Sequence, residues 1–145
     1  MKTPGCLFVS FLSMLLTSCK THQIPVSDFR QMFAGKTLSR TVTTSSPFGG
    51  TTSYATYPIS YIKCVDKKGK AAQLKNAPSV EMRVTDTNNK KTIFYFDLVE
   101  VKDSVIKGGM SRVMPSFKKT IPLGKIKKIE VQDGGKKYQY VKIID

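Results

Sequence analysis

"VEMRVTDTNNKKTIFYFDLVEV", residues 80–101, is the stretch whose reading decides the fold. Its first six residues alternate. Val80, Met82 and Val84 share one face and Glu81, Arg83 and Thr85 the other, which is the period of a strand buried on one side. The polar run DTNNKK, 86–91, reads as a hairpin connection. Residues 92–101, TIFYFDLVEV, return as a run of aromatic and aliphatic residues suited to a pleated surface. Within that run Asp97 and Glu100 are expected on opposite faces. The facing carboxyl pair that glycoside hydrolysis needs is therefore not foreseen.

The same pattern extends outward in both directions. KDS turns the chain into VIKGG, 105–109; KKTIPL and KIKKIEV follow, and Asp133-Gly134-Gly135 predicts a hairpin into a last strand, YQYVKII. Upstream, KTLSRTVTTSS reads as a polar strand, PFGG as a turn, and TTSYATYPISYIKCV as a return strand interrupted near Pro58. DKKGK is another turn, and residues 71–79 carry little pattern, with KNAPS read as loop. SDFRQMFAG, 27–35, predicts one short helix with Ser27 as N-cap, Asp28 in the first turn, Phe29, Met32 and Phe33 on one face, and Gly35 as the stop. The sum is about seven or eight strands and one helix. The expected fold is mainly β: an antiparallel sandwich or a partly open small barrel with one short N-terminal helix.

The succession of a strand, a short turn, VIKGG, a loop and the spacing I-P-L-x-x-I-x-x-I-x-V resembles small bacterial barrels of the PH-like or Sm-like kind, over about 45 residues. That resemblance rests on apolar spacing and implies a fold only.

Residues 1–19 supply an address. Met1 and Lys2 form a short positive end, and CLFVSFLSMLL, 6–16, is an apolar run too short to span a bilayer, which takes about 20 residues. It fits the apolar region of a secretory signal. Leu16-Thr17-Ser18-Cys19 then resembles the lipobox of bacterial lipoprotein precursors. The resemblance implies diacylglycerol on the Cys19 sulfur, cleavage before Cys19 and acylation of the new amino group, palmitate chains being typical. Two or more acyl chains make a stable anchor. The expected organisation is a signal peptide at 1–18, a lipidated tether at 19–26 and a single β-rich domain at 27–145. KTHQ, after the cysteine, has no acid. That resembles outer-membrane lipoproteins facing the periplasm.

Lys and Arg number 24 against 10 Asp and Glu, a net charge of +14, which favours anionic partners. Export argues against nucleic acid and leaves anionic lipid headgroups or an acidic protein. The candidate contacts are Lys118, Lys119, Lys125, Lys127, Lys128, Lys136 and Lys137. The same lysines also suit plain solubility and the protection of strand edges.

Little else points to chemistry. His22 is the only histidine and falls on the expected tether, where no second group holds it. Loss of Cys6 and lipidation of Cys19 would leave Cys64 alone, so no internal disulfide is expected. Cys64 shares a face with Ile62, as a core thiol would. GKT at 35–37 lacks the glycine five residues earlier that a phosphate-binding loop requires, because Arg30 stands there. Tyr54, Tyr57 and Tyr61 are either strand residues or a binding face. No cofactor, no metal site and no catalytic residue is expected. The functional expectation is an envelope-anchored, non-enzymatic binding or assembly module with a basic surface; the alternative is an inhibitor or immunity-type lipoprotein that blocks one acidic protein.

Overall fold

A computed structural model describes residues 20–145. The expected processing site and Cys19 lie outside the described residues. In chain order the elements are β1 (His22–Ile24), α1 (Val26–Phe33), β2 (Arg40–Ser45), β3 (Thr51–Thr56), β4 (Tyr61–Val65), β5 (Ala71–Lys75) and β6 (Val80–Asp86). They continue with β7 (Lys91–Tyr95), β8 (Val99–Lys102), β9 (Val105–Gly109), β10 (Lys118–Pro122), β11 (Ile126–Asp133) and β12 (Gln139–Ile144). The fold is mainly β, in three antiparallel sheets ordered β5-β4-β1-β11-β6-β7, β10-β9-β8 and β12-β2-β3. None closes into a barrel. No helix among the described residues is long and apolar enough to cross a membrane.

Three hairpins are built from one turn. Ser46, Asp66 and Asp86 each donate their N–H to the carbonyl four residues on and accept the N–H three residues on. Gly49, Gly69 and Asn89 take the positive φ that this loop demands. The Asp66 and Asp86 carboxylates each accept two backbone N–H groups at 2.8–2.9 Å, which is why aspartate opens these turns. The β4–β5 turn also explains a strand that local pattern did not reveal. Ala71–Lys75 forms β5 because the DKKG turn folds it back onto Tyr61–Val65, with Ala72 opposite Cys64.

The alternation read in residues 80–85 is correct. Val80, Met82 and Val84 are fully buried, and β6 lies between β11 and β7. The run 92–101 is not one strand. A single 3-10 turn at Phe96–Leu98 divides it into β7 and β8, which belong to different sheets. β9 passes tightly under this corner: a Cβ added at Gly108 would enter the Phe94 ring, and one at Gly109 would stand 2.9 Å from Leu98. The paired glycines of VIKGG let the two sheets approach.

Three further expectations are corrected. The segment read as a tether contains β1, which fills the centre of the largest sheet between β4 and β11, with Ile24 only 1% exposed. Helix α1 begins one residue before Ser27. Pro25 is its N-cap, and the Pro25 carbonyl receives the Phe29 N–H at 2.9 Å, while the Ser27 hydroxyl turns to Asp28. Phe29 and Phe33 still pack into the core, and Gly35 takes a positive φ just beyond the helix. Asp133-Gly134-Gly135 bends the chain but makes no hairpin. Gly134 donates to the Ser79 carbonyl at 2.9 Å, and the chain crosses to pair β12 with β2. A turn signal governs local bending and does not choose the partner; β12, mostly exposed, pairs with β2 and brings Tyr140 to Asp97.

Candidate functional site

Strand β12 carries Tyr140 to a cluster at the junction of the sheets. At its centre Asp97, on the 3-10 turn, meets Arg112, from the β9–β10 connection, at 2.5 Å. Their side chains are 0% and 6% exposed. Asp97 also accepts hydrogen bonds from Tyr54 of β3 and, at 2.8 Å, from Tyr140 of β12. Its backbone carbonyl accepts from Thr56 at 2.9 Å. The remaining Arg112 nitrogens donate to the Tyr54 hydroxyl and to the Pro78 carbonyl, each at 3.0 Å. The guanidinium lies 4.4 Å from the Tyr95 ring centre and 5.4 Å from that of Tyr138, within cation–π range.

Electrostatics follow from this burial. Desolvation, and then the adjacent Asp97 charge, push Tyr54 up to about 12 and raise Tyr140 further. Burial opposes the Arg112 charge, but Asp97 and Tyr54 outweigh it and hold the guanidinium above its ordinary value. Both phenols therefore stay protonated and act as donors to Asp97. All three guanidinium nitrogens are engaged with other groups of the chain. The cluster works chemically as a tie between β3, the 3-10 turn, the β9–β10 connection and β12. A second tie lies nearby, where the Tyr57 hydroxyl meets both the N–H and the carbonyl of Val101 at 3.2 Å.

Over the cluster opens a groove of about 790 Å³. The β2–β3 hairpin forms one wall, residues from 97–100 and 109–118 form most of the rest, and Leu38 and Tyr138 complete it. Its lining is mostly apolar and includes Phe48, Val113 and Leu38, which are 86%, 72% and 39% exposed. Met114 and Phe117, on the same connection as Val113, are also more than half exposed. Lys118 and Glu100 are the charged residues that line the groove besides the Asp97–Arg112 pair.

The seven candidate lysines do not share one face. Strand β11 has eight residues and spans about 27 Å at about 3.4 Å per residue. Lys125, Lys127 and Lys128 lie at its start, and Lys136 and Lys137 lie beyond its end. At the start they join Lys90 and Lys91 of the β6–β7 hairpin. The Lys125 carbonyl accepts from Thr87 at 2.9 Å, Lys127 reaches Asn89 at 2.9 Å, and Thr85 sits between Lys91 and Lys128. At the other end Lys136 pairs with Glu81 at 2.5 Å and touches the Tyr95 hydroxyl. Lys128 pairs with Glu130 at 3.0 Å, and Lys119 bonds Thr92 at 2.8 Å. Among the described residues Lys118, Lys125 and Lys137 form no ion pair.

Other residues singled out in the sequence separate clearly. Cys64 is buried beside Ile62, and burial raises its thiol pKa. His22 sits in β1, and its Nδ1 is buried without a hydrogen-bond partner. No group of histidine, cysteine and acidic side chains among the described residues is arranged for a metal ion. Tyr54 joins the cluster, Tyr57 is core and Tyr61 is exposed, so the three form no common face. Arg112 and the groove were not foreseen. The one signal for them was the exposed-loop run MSRVMPSF, in which an arginine stands among apolar residues that no strand period explains.

Comparison with protein-family models finds no match, and comparisons with curated proteins and with solved structures find none either.

Proposed function

We propose that the chain is an envelope-anchored bacterial lipoprotein whose single domain is a non-enzymatic binding or assembly module for an anionic partner. The anchor reading rests on Leu16-Thr17-Ser18-Cys19 behind a charged end and an apolar run of signal length. Acyl chains on Cys19 would hold the domain at a membrane, and the acid-free KTHQ that follows, resembling outer-membrane lipoproteins, supports the outer membrane on its periplasmic side.

The observation that carries the binding reading is the open apolar groove with Lys118 on its lining, in a chain of net charge +14. Contiguous exposed apolar side chains mark surfaces that other molecules cover. A positive field steers acidic molecules toward them. Anchoring also assigns the lysines different neighbours. His22 lies opposite Val131, so Lys20 emerges at the Asp133 end of β11, where Lys136 and Lys137 stand. Those lysines meet anionic headgroups, and the cluster of Lys90, Lys91, Lys125, Lys127 and Lys128 faces away.

Replacing Cys19 with Ala tests the anchor. The expected result is unprocessed precursor that takes up no labelled palmitate. Normal processing with full acyl labelling would refute it.

A further inference from the structure

Six strand edges terminate the three sheets: β5, β7, β8, β10, β12 and β3. Charges, prolines and bulges on such edges discourage pairing with another chain. Five of the six carry them. Lys75 stands in β5, Lys91 in β7, Glu100 and Lys102 in β8, Lys118, Lys119 and Pro122 in β10, and Lys142 beside the bulge of β12. β3, TTSYAT, has no charge, no proline and no bulge.

Its backbone is equally open. The bond from the Ser46 N–H to the Gly50 carbonyl, 3.1 Å, sets the alternation of the β2–β3 ladder. Thr52 and Tyr54 then bond toward β2, and Thr51, Ser53 and Ala55 turn their N–H and carbonyl groups outward. These three residues are exposed, and among the described residues nothing hydrogen-bonds their outward groups. The apolar groove adjoins the same strand, with Thr52, Tyr54 and Ala55 in its wall.

We propose that the β3 edge and the groove together receive an extended acidic segment of a partner protein, added as a fourth strand beside β3. Strand addition takes main-chain hydrogen bonds from a free edge and specificity from a pocket that accepts alternate side chains. The edge supplies the first. The groove supplies the second, through Phe48, Leu38 and Val113. Acidic character follows from the net charge of +14, whose field surrounds a groove in which Lys118 is matched by Glu100 and Arg112 by Asp97. The inference rests on the proposed role as a module for an anionic partner and names the surface and the form of that partner.

The test uses the whole chain and a peptide of about ten residues alternating glutamate and valine, near the upper length of an ordinary strand. Amide exchange is followed by NMR. Binding should slow exchange at Thr51, Ser53 and Ala55 by at least about tenfold, as closure of an open site requires. Ala55→Pro removes one outward N–H and leaves the ladder to β2 intact, and should weaken binding at least about tenfold. Ser53→Lys, which guards the edge with a charge, is the second variant should the first fail to fold. A peptide with lysine in place of glutamate should not bind. Binding that perturbs Lys90, Lys125 and Lys127 but leaves the β3 amides unprotected would overturn strand addition and keep the anionic-partner reading. Binding to anionic vesicles with no peptide binding would overturn strand addition too. No response to peptide or vesicles would overturn both.

Discussion

Asp97 shows how one buried charge organises its surroundings. Its carboxylate is fully enclosed and held by Arg112, Tyr54 and Tyr140, groups from three separate parts of the chain. A buried ion pair adds little over an apolar replacement, but removing one member leaves the other charge stranded. Asp97→Asn should therefore lower unfolding stability by about 3–5 kcal/mol, read as a drop in urea midpoint with unchanged slope. A loss below about 1 kcal/mol would mean that solvent screens Arg112. The phenol of Tyr54 gives a second expectation at this scale. Its pKa is raised from 10.0 to about 12. Above pH 10 the unfolded chain loses this proton first, so the folded state binds more protons and stability falls as pH rises toward about 12. Tyr54→Phe should flatten that decline in unfolding curves taken between those limits, and an unchanged slope would exclude Tyr54 as its source.

At the scale of elements, legibility in the sequence tracked how local the deciding forces were. The three hairpin turns could be read because Asp66, Asp86, Gly49 and Gly69 satisfy local backbone needs. Strand β6 could be read because Val80, Met82 and Val84 on one face are fully buried while Glu81 and Arg83 on the other are half-buried. β5 was hidden because its half-exposed residues carry no strong alternation, and its partner β4 defines it. β1 was hidden because three residues are too short for any period; the slot between β4 and β11 makes HQI a strand. The division of 92–101 depends on Asp97 finding Arg112, which comes from far along the chain. The candidate site follows the same rule. The lysines were visible one by one, but their separation to the two ends of β11 is a property of register. The groove, assembled from a hairpin and a distant connection, has no local signature.

For the whole molecule, the discovery of β1 changes what an anchor at Cys19 would do. Eight residues of free tether would let the domain drift well away from the bilayer. With β1 beginning at His22, Lys20 and Thr21 are the residues left between the anchor and the sheet, a reach of at most about 11 Å from Cys19 at 3.6 Å per residue. The Asp133 end of β11 is then held against the headgroups, and the Lys125 end stands about 27 Å further out at about 3.4 Å per residue. That separation exceeds the Debye length of about 8 Å at physiological salt, so the outer lysines feel little of the membrane's field. Lysine acetylation footprinting of the lipidated protein on anionic vesicles checks this arrangement. Lys20 and Lys137 should be protected several-fold relative to the detached chain, while Lys90 and Lys125 react at unchanged rates. Protection of Lys90 and Lys125 instead would show the domain lying over with its most basic end on the lipid. That orientation would place on the lipid the lysine cluster that the anchored arrangement turns away from it.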